Sequence, residues 1–315
     1  MFKNAGKLLT FTACSLVLAG LYARRQRSMA QRRQADARLV EQAVKRFSQT
    51  NGFDKIKYTT VLIPSHNEYS NLCELLPRIP KTACGQELGV LILDDGSSDH
   101  TVDLPQHHNV AVVSTDVKRG QGAALRLGYA LALAGGAQVV VTIDGDGQYQ
   151  PEEIETVLAP VVAGEYDFVI GSRILGGFEK DDDFRLLGVH FYARLFSLLL
   201  GLNITDSSSG YRAIRSTYLK TLVNRLVQPQ YQTGEVLLEL ARAGARIGEA
   251  PIMMLKRRSG KSKKGNNIYY GFAYARTIFM TWFKGNIHNE TINIPSQSDR
   301  HTRTDKVTGN NGAGG

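Results

Sequence analysis

The sequence predicts an α/β fold in which a mostly parallel sheet is flanked by helices. Short runs rich in Val and Ile alternate with amphipathic stretches of helical periodicity, and these runs are too apolar to face water. Polar residues directly follow three of the runs. The 315 residues are 43% hydrophobic and 21% charged, so the chain can bury one large core or two small ones. This composition excludes global disorder.

Charge and cysteine content narrow the classes of partner and compartment. The net charge of +9 suits anionic partners such as nucleotides, lipid phosphates, membrane headgroups or nucleic acid. The three cysteines, Cys14, Cys73 and Cys84, form no C-x-x-C pair. Neither a disulfide framework nor a zinc site is therefore expected, and a reducing compartment fits.

Residues 1–33 are predicted to form an N-terminal hydrophobic anchor with a basic flank. The run over residues 8–23 is mostly apolar; two lysines precede it and five arginines follow it. This distribution favours an uncleaved anchor with the main domain on the cytoplasmic side of a membrane. Because the run is shorter than the roughly 20 apolar residues that cross a bilayer comfortably, a cleaved signal peptide and an organelle transit peptide remain alternatives.

The remaining elements follow in order along the chain. Residues 34–56 are predicted to form a linker helix, since apolar residues recur at helical spacing up to Phe47. The folded domain is predicted over residues 57–288. Its strands are expected at 58–63, 89–93, 110–113, 138–143, 167–170 and 246–255, and its helices at 68–79, 122–134, 151–162, 184–200 and 233–243. Residues 289–315, rich in Asn, Thr, Ser and Gly, predict a disordered tail.

Two carboxylates and an amide, Asp144, Asp146 and Gln148, follow one predicted core strand at alternate positions. If the chain stays extended, alternate side chains point to the same side, and three oxygens converge on one hard divalent cation. Such a cation would bridge a diphosphate. A solvated Asp-Gly turn accounts for the segment equally well.

Two further strand ends carry polar residues. Asp94, Asp95 and Asp99 follow the strand at 89–93, and a Pro-Ser-His-Asn-Glu segment follows the strand at 58–63. The carboxyl ends of parallel strands meet at one edge of a sheet, where α/β proteins bind their ligands. All three ends are therefore expected to open into one crevice.

In these segments the chain resembles the inverting glycosyltransferase family two, which has the GT-A nucleotide-sugar fold, and within it the polyprenyl-phosphate (dolichyl-phosphate) mannose and glucose synthases. The resemblance extends in order over residues 58–264. Its motifs are V-L-I-P-S-H-N-E (61–68), L-D-D-G-S-S-D-H-T (93–101), K-R-G-Q-G-A-A (118–124), D-G-D-G-Q (144–148), G-S-R (171–173), S-G-Y-R (209–212) and R-R-S-G-K-S-K (257–263). It implies transfer of one sugar, with inversion, from a GDP- or UDP-sugar to an acceptor such as a polyprenyl phosphate. A saccharide hydroxyl is the alternative acceptor.

The resemblance also implies roles on the donor side. The residues that would line the nucleoside pocket are Pro64, His66 and Glu68. Asp95 would contact the base or ribose, and Asp144 the ribose or the metal. Asp146 and Gln148 would ligate Mg²⁺ or Mn²⁺, which neutralises the diphosphate leaving group.

Cationic residues would hold donor or acceptor phosphates, a task that suits forked guanidinium donors. The residues implied are Arg173, Arg257, Ser262 and Lys263, with Arg212 of S-G-Y-R also assigned to substrate binding. Family members with a lipid-phosphate acceptor tend to have an arginine and a nearby serine at the start of the long helix after G-S-R. Arg185 could be this arginine, but it is displaced by one residue in the alignment, and no serine stands at the matching position. A surface salt bridge is the alternative for Arg173, and a solvated basic loop is the alternative for residues 256–264.

Acceptor chemistry depends on whether the site offers a base. A phosphate oxygen is already anionic near neutral pH, whereas a hydroxyl acceptor needs a general base. Glu235 is the candidate catalytic base, and a first-turn helix carboxylate is the alternative reading. The aromatic-rich stretch at 269–283 predicts a helix, either in the membrane interface or packed on the core.

Rival functions fit the sequence less well. A dinucleotide-binding oxidoreductase would need the third glycine of G-x-G-x-x-G at position 125, where this chain has Leu125. A P-loop protein would need the first glycine of its motif at position 255, where this chain has Leu255. No nucleic acid partner is expected, because that function leaves three acidic strand ends unexplained: their carboxylates would repel phosphates unless a metal intervened. A processive polysaccharide synthase usually shows Q-x-x-R-W and several membrane spans. The residues before Trp282 do not form that motif, and the sequence has no second apolar segment long enough for a membrane span.

Overall fold

The computed structural model describes residues 34–104, 109–179, 183–228, 230, 232–257 and 267–283. The predicted anchor at 1–33, the predicted tail at 289–315, and Ser262 and Lys263 lie outside these ranges. The domain boundaries drawn from the sequence stay predictions.

The described strands form a nine-stranded mixed sheet with the order β2-β3-β1-β5-β8-β6-β9-β7, in which β4 also pairs with β3. The strands are β1 (Thr59–Ser65), β2 (Thr82–Ala83), β3 (Gln86–Asp94), β4 (Val110–Ser114), β5 (Val139–Thr142), β6 (Phe168–Ser172), β7 (Gly177–Phe178), β8 (Arg212–Arg215) and β9 (Ile247–Met254). β1 lies parallel to β3 and β5, and β3 lies parallel to β4. β8 runs antiparallel between β5 and β6, and β9 lies parallel to both β6 and β7. The predicted mostly parallel sheet is confirmed, with β8 as an antiparallel insertion.

Helices cover both faces of the sheet. Residues 34–50 form α1. The other helices are α2 (Tyr69–Leu75), α3 (Gln121–Gly135), α4 (Ile154–Val162), α5 (Arg173–Gly176), α6 (Asp183–Leu200), α7 (Leu219–Arg225), α8 (Gln232–Arg242) and α9 (Asn267–Phe283). Pro151 begins a short 3₁₀ turn that leads into α4, as its fixed φ angle favours.

Two hydrophobic clusters form the core, one on each side of the sheet. Successive side chains of a strand point to opposite faces, and accordingly Leu62 of β1 belongs to one cluster while Val61 and Ile63 belong to the other. The Leu62 cluster also contains residues of α1, α3 and α6 to α9, and the other contains residues of α2 and α4. The sheet is therefore rigid between two packed layers, and its strand ends are fixed in space.

Within the described ranges, the structure contains no helix with the length and apolarity needed to cross a bilayer.

Candidate active site

A cavity opens where β1, β3 and β5 end. The structure brings seven of the predicted site residues to its wall: Pro64, His66, Glu68, Asp95, Asp144, Asp146 and Arg257. Residues without a predicted role also line it, among them Lys118, Gln121, Ser208, Gln230, Gln232 and Thr233. The three polar strand ends therefore meet in one crevice, as the parallel arrangement of β1, β3 and β5 predicts.

The loops after β1 and β3 hold each other in place. The backbone N–H of Asn67 donates to Ser97 Oγ at 2.8 Å, and the backbone N–H of Ser98 donates to Asn67 Oδ1 at 2.7 Å. Asn67 has a φ of 53°, a left-handed conformation that asparagine tolerates better than most residues. These reciprocal bonds place His66 and Asp95 beside the same cavity.

Asp95 fixes the loop that precedes α3. The side chain is 4% exposed. Its two oxygens accept hydrogen bonds from the backbone N–H groups of Arg119 and Gly120, both at 2.7 Å. Asp95 therefore shapes the cavity wall through the loop, and its predicted contact with base or ribose stays a prediction.

The chain turns immediately after β5. Gly147 has a φ of 73°, and residues 145–147 form a turn and a bend. The expectation of an extended chain up to Gln148 is therefore wrong, because the left-handed glycine reverses its direction. Asp144 and Asp146 line the cavity, whereas Gln148 does not; its amide donates to the carbonyl of Leu255 at 3.2 Å.

The two aspartates have different partners. Asp144 Oδ1 accepts a hydrogen bond from Gln121 Nε2 at 2.6 Å, and the Asp146 carboxylate is ion-paired with the Arg257 guanidinium. Gly210 faces Asp144 so closely that a Cβ at this position would lie 2.7 Å from Asp144 Oδ2. The absence of a side chain at residue 210 is thus what makes space for the Asp144 carboxylate.

This pair of carboxylates fits a Mg²⁺ or Mn²⁺ ion. In the described part of the chain, no cluster of three or more His, Cys, Asp or Glu side chains could hold a metal. Mg²⁺ is commonly held by only one or two carboxylates, with substrate phosphates and water completing its shell. Asp144 and Asp146, on a wall shared with Arg257 and Lys118, provide that donor set.

Arg173 lies behind the cavity wall, in a buried ion pair. It is 6% exposed, and its Nε and Nη2 donate to the two Asp206 oxygens at 2.6 and 3.0 Å. Burial alone would raise the pKa of Asp206, but the charge and hydrogen bonds of Arg173 outweigh it and hold that pKa below its ordinary value. Arg173 also donates to Ser208 Oγ at 2.8 Å, which joins the pair to a residue of the cavity wall.

Arg212 and Glu235 are also buried outside the cavity lining. Arg212 donates to three backbone carbonyls, those of Ser209, Thr233 and Ser207, at 2.7, 3.0 and 3.1 Å. Glu235 accepts from the backbone N–H groups of Val227 and Gln228, the latter at 3.0 Å. For Arg185 the structure describes only the backbone, in α6. The substrate-binding and catalytic roles of Arg173, Arg185, Arg212 and Glu235 stay predictions.

Sequence reasoning missed Gln121 and the wall formed by Ser208, Gln232 and Thr233. Gln121 stands in the K-R-G-Q-G-A-A motif, directly after a glycine at the start of α3, and this position is a signal that could have identified it. Gln232 and Thr233 begin α8. Their approach to the crevice depends on a long-range contact that no local pattern encodes.

The fold and the cavity define a class: an α/β protein whose strand ends present carboxylates beside cationic side chains in one crevice. Residues 60–223 match the model of glycosyl transferase family 2. The chain belongs to this family, and the resemblance recognised in its motifs is confirmed.

Individual relatives agree with this assignment, and a solved structure shows the same fold. The chain is 35% identical over 221 residues to polyprenol monophosphomannose synthase of Mycolicibacterium smegmatis, covering 67% of this chain and 82% of that protein. It is 32% identical over 217 residues to undecaprenyl-phosphate mannosyltransferase of Micrococcus luteus, covering 66% of this chain and 87% of that protein.

Glucosyl-3-phosphoglycerate synthase of Mycobacterium tuberculosis, solved with Mn²⁺, uridine diphosphate and phosphoglyceric acid, superposes with a TM-score of 0.55 at 20% identity, covering 76% of this chain and 83% of that one. The predicted GT-A fold is confirmed.

Proposed function

We propose that this glycosyltransferase moves one sugar from a GDP- or UDP-sugar to a polyprenyl phosphate, with inversion at the anomeric carbon. The observation that carries the proposal is the meeting of Asp144, Asp146 and Arg257 on one cavity at the strand ends. The names of the two bacterial relatives, which specify polyprenol or undecaprenyl phosphate chemistry, support the choice of acceptor.

On the donor side, Asp144 and Asp146 would hold Mg²⁺ or Mn²⁺. When bound, such an ion supplies positive charge that neutralises the diphosphate leaving group. The Arg257 guanidinium is ion-paired with the Asp146 carboxylate, so its positive charge would lie beside the same phosphates. Lys118 adds a second cation to the lining. Because four carboxylates of the described residues line the same cavity, the divalent ion would be needed to attract the diphosphate.

Glu235, the predicted base, is buried and does not line the cavity, and this favours a phosphate acceptor over a hydroxyl. In the described part of the chain, four carboxylates line the cavity: Glu68, Asp95, Asp144 and Asp146. Each already accepts hydrogen bonds or an ion pair, from Asn71, the 119–120 backbone, Gln121 and Arg257 respectively. A hydroxyl nucleophile needs a base within hydrogen-bond reach, whereas an anionic phosphate needs only positioning.

A lipid acceptor also requires access to a membrane surface, and α9 supports this part of the proposal. Tyr274 and Ile278 of α9 are buried, while Phe272, Phe279 and Phe283 are 75%, 61% and 67% exposed. A helix with one packed face and one exposed aromatic face suits the interface of a bilayer. Together with the anchor predicted at 1–33, it would hold the catalytic domain against the membrane from the cytoplasmic side.

A donor screen tests the proposal. Purified full-length protein is incubated with UDP- and GDP-sugars and Mg²⁺ or Mn²⁺, with and without a short-chain polyprenyl phosphate, and release of the nucleoside diphosphate is measured. We expect one donor to give rapid release that depends on the polyprenyl phosphate. Release that is equally fast with a saccharide alone, and unchanged by the lipid, would point to a hydroxyl acceptor instead.

A further inference from the structure

Helix α1, which precedes the segment matched by the family model, is ion-paired with the loop that enters α3. The Asp36 carboxylate on α1 pairs with the Arg119 guanidinium, and Arg126 Nη1 of α3 lies 3.5 Å from Asp36 Oδ2. Arg126 is itself buried, and its Nε donates to the carbonyl of Val223 at 2.8 Å. Asp36 thus has one partner in the loop and one in the core.

The same loop forms a wall of the cavity. Lys118, Gly120 and Gln121 all line the cavity, and Gln121 donates to Asp144. From the inner side, the Asp95 carboxylate accepts hydrogen bonds from the backbone N–H groups of residues 119 and 120. Asp36 holds the Arg119 side chain from the outer side, so the loop is clamped between two carboxylates.

Helix α1 can transmit this constraint because it is packed. Val40, Val44 and Phe47 are 3–4% exposed and belong to the larger core cluster. The loop also has little space in which to move, since a Cβ on Gly96 would lie 2.7 Å from the backbone of Lys118. Asp36 therefore stands on a rigid support and pairs with a closely fitted loop.

We propose that Asp36 is a positioning residue for the donor nucleotide. By holding Arg119 it keeps residues 118–121 against Asp95, and it makes α1 a part of the donor site as well as a link to the N-terminal segment. The ligand concerned is a nucleoside diphosphate, so the inference rests on the proposed function. A purely electrostatic effect has the opposite sign: removing the Asp36 charge would then strengthen binding of an anionic nucleotide.

The test is calorimetric titration of the full chain with UDP and with GDP in the presence of Mg²⁺. Asp36→Asn is expected to raise the nucleotide Kd about three- to fivefold, the range of a partly exposed ion pair, and to raise the donor KM equally with kcat unchanged. Asp36→Glu should restore most of the affinity. Glu41→Gln, which removes the same charge from an exposed position of α1, is the matched control and should bind like wild type.

A double mutant separates positioning from general destabilisation. If Asp36 acts through Arg119, Asp36→Asn combined with Arg119→Ala should bind no more weakly than Arg119→Ala alone. An unchanged or lower Kd for Asp36→Asn, or losses that simply add, would overturn the inference while leaving the donor assignment intact. Failure of wild type to bind either nucleotide would overturn both.

Discussion

Asp146 is the residue on which the proposed chemistry depends most. Its carboxylate is paired with Arg257 and lies on the same cavity as Asp144. A carboxylate in that position can share a cation with a diphosphate, whereas an amide retains the shape and loses the charge. Arg257 would then lack its partner as well.

We expect Asp146→Asn to lower kcat/KM about 100-fold or more, because charge stabilisation by a metal is worth several kcal/mol. EDTA should abolish transfer by the wild type, and Mg²⁺ or Mn²⁺ should restore it. Circular dichroism checks that the variant is folded, and Asp103→Asn, an exposed aspartate that pairs with His100, is the control. Full activity of Asp146→Asn in excess chelator would end the metal assignment.

Two buried, ion-paired aspartates should make the folded state less stable in acid. Hydrogen bonds from the Arg246 guanidinium lower the pKa of Asp167 to about 2, and Arg173 holds the pKa of Asp206 below its ordinary value. The unfolded chain binds these protons near pH 4. The stabilisation is therefore complete above about pH 4 and is lost as the pH falls towards 2.

Thermal unfolding measured from pH 7 down to pH 3 should show a Tm that declines most steeply below pH 4. Asp167→Asn, which removes one of the shifted groups, should flatten this decline while lowering Tm at pH 7. A variant whose Tm falls with acid as steeply as that of the wild type would contradict the assignment of Asp167.

Which residues lie at the cavity was easier to predict from the sequence than how their side chains are oriented. The motifs predicted that Asp144 and Asp146 lie at the strand-end crevice, and both line the cavity. The motifs placed Gln148 on the wrong side, because the conformation of Gly147 is set by the turn and not by the strand before it. Arg173 was expected at phosphates or in a surface salt bridge, yet its buried partner Asp206 lies 33 residues away in the sequence.

At the scale of elements, α9 joins the cavity wall to the exposed aromatic face. The Tyr274 hydroxyl donates to the carbonyl of Ser207 at 3.2 Å and accepts from Thr233 Oγ1 at 3.3 Å. Thr233 lines the cavity, so one face of α9 contacts the wall of the site while the opposite face carries Phe272 and Phe279. A lipid held at that face would be adjacent to the cavity.

Replacing both Phe272 and Phe279 by serine should raise the KM for polyprenyl phosphate in vesicles at least about tenfold, since two aromatic side chains lose their apolar contact. Binding of the nucleotide should stay at the wild-type level. Val102→Ser, at an exposed apolar position outside α9, is the control for general surface effects. Equal acceptor KM values for the double variant and the control would remove α9 from the acceptor site.

Runs of Val and Ile were sufficient to predict strands, whereas a strand of mixed polarity was not predicted. The predicted strands at 58–63, 89–93 and 110–113 correspond to β1, β3 and β4, and the helix at 122–134 corresponds to α3. β8 was missed because Arg212–Arg215 is four residues of mixed polarity. Its strand conformation depends on β5 and β6 on either side, and such long-range pairing has no local signal.

At the scale of the whole molecule, the two parts of the sheet have different topologies. β4, β3, β1 and β5 are parallel, and the last three of them end at the cavity. Beyond them the antiparallel β8 begins two residues after Gly210 of the cavity wall. Sequence motifs occur in both the parallel part of the sheet and the segment that leads into β8. The strand order that brings them together results from the packing of the two hydrophobic clusters.

The proposed function depends most on the acceptor being a lipid phosphate. The most direct measurement is chromatography of the lipid products after incubation with the labelled donor and a short-chain polyprenyl phosphate. It compares wild type with Glu235→Gln, Lys263→Ala and, as the control for a lost surface charge, Lys220→Ala. We expect an acid-labile lipid-linked sugar that survives Glu235→Gln and Lys220→Ala and is largely lost with Lys263→Ala. No lipid product with any common donor, together with efficient transfer to a saccharide hydroxyl that requires Glu235, would contradict the account.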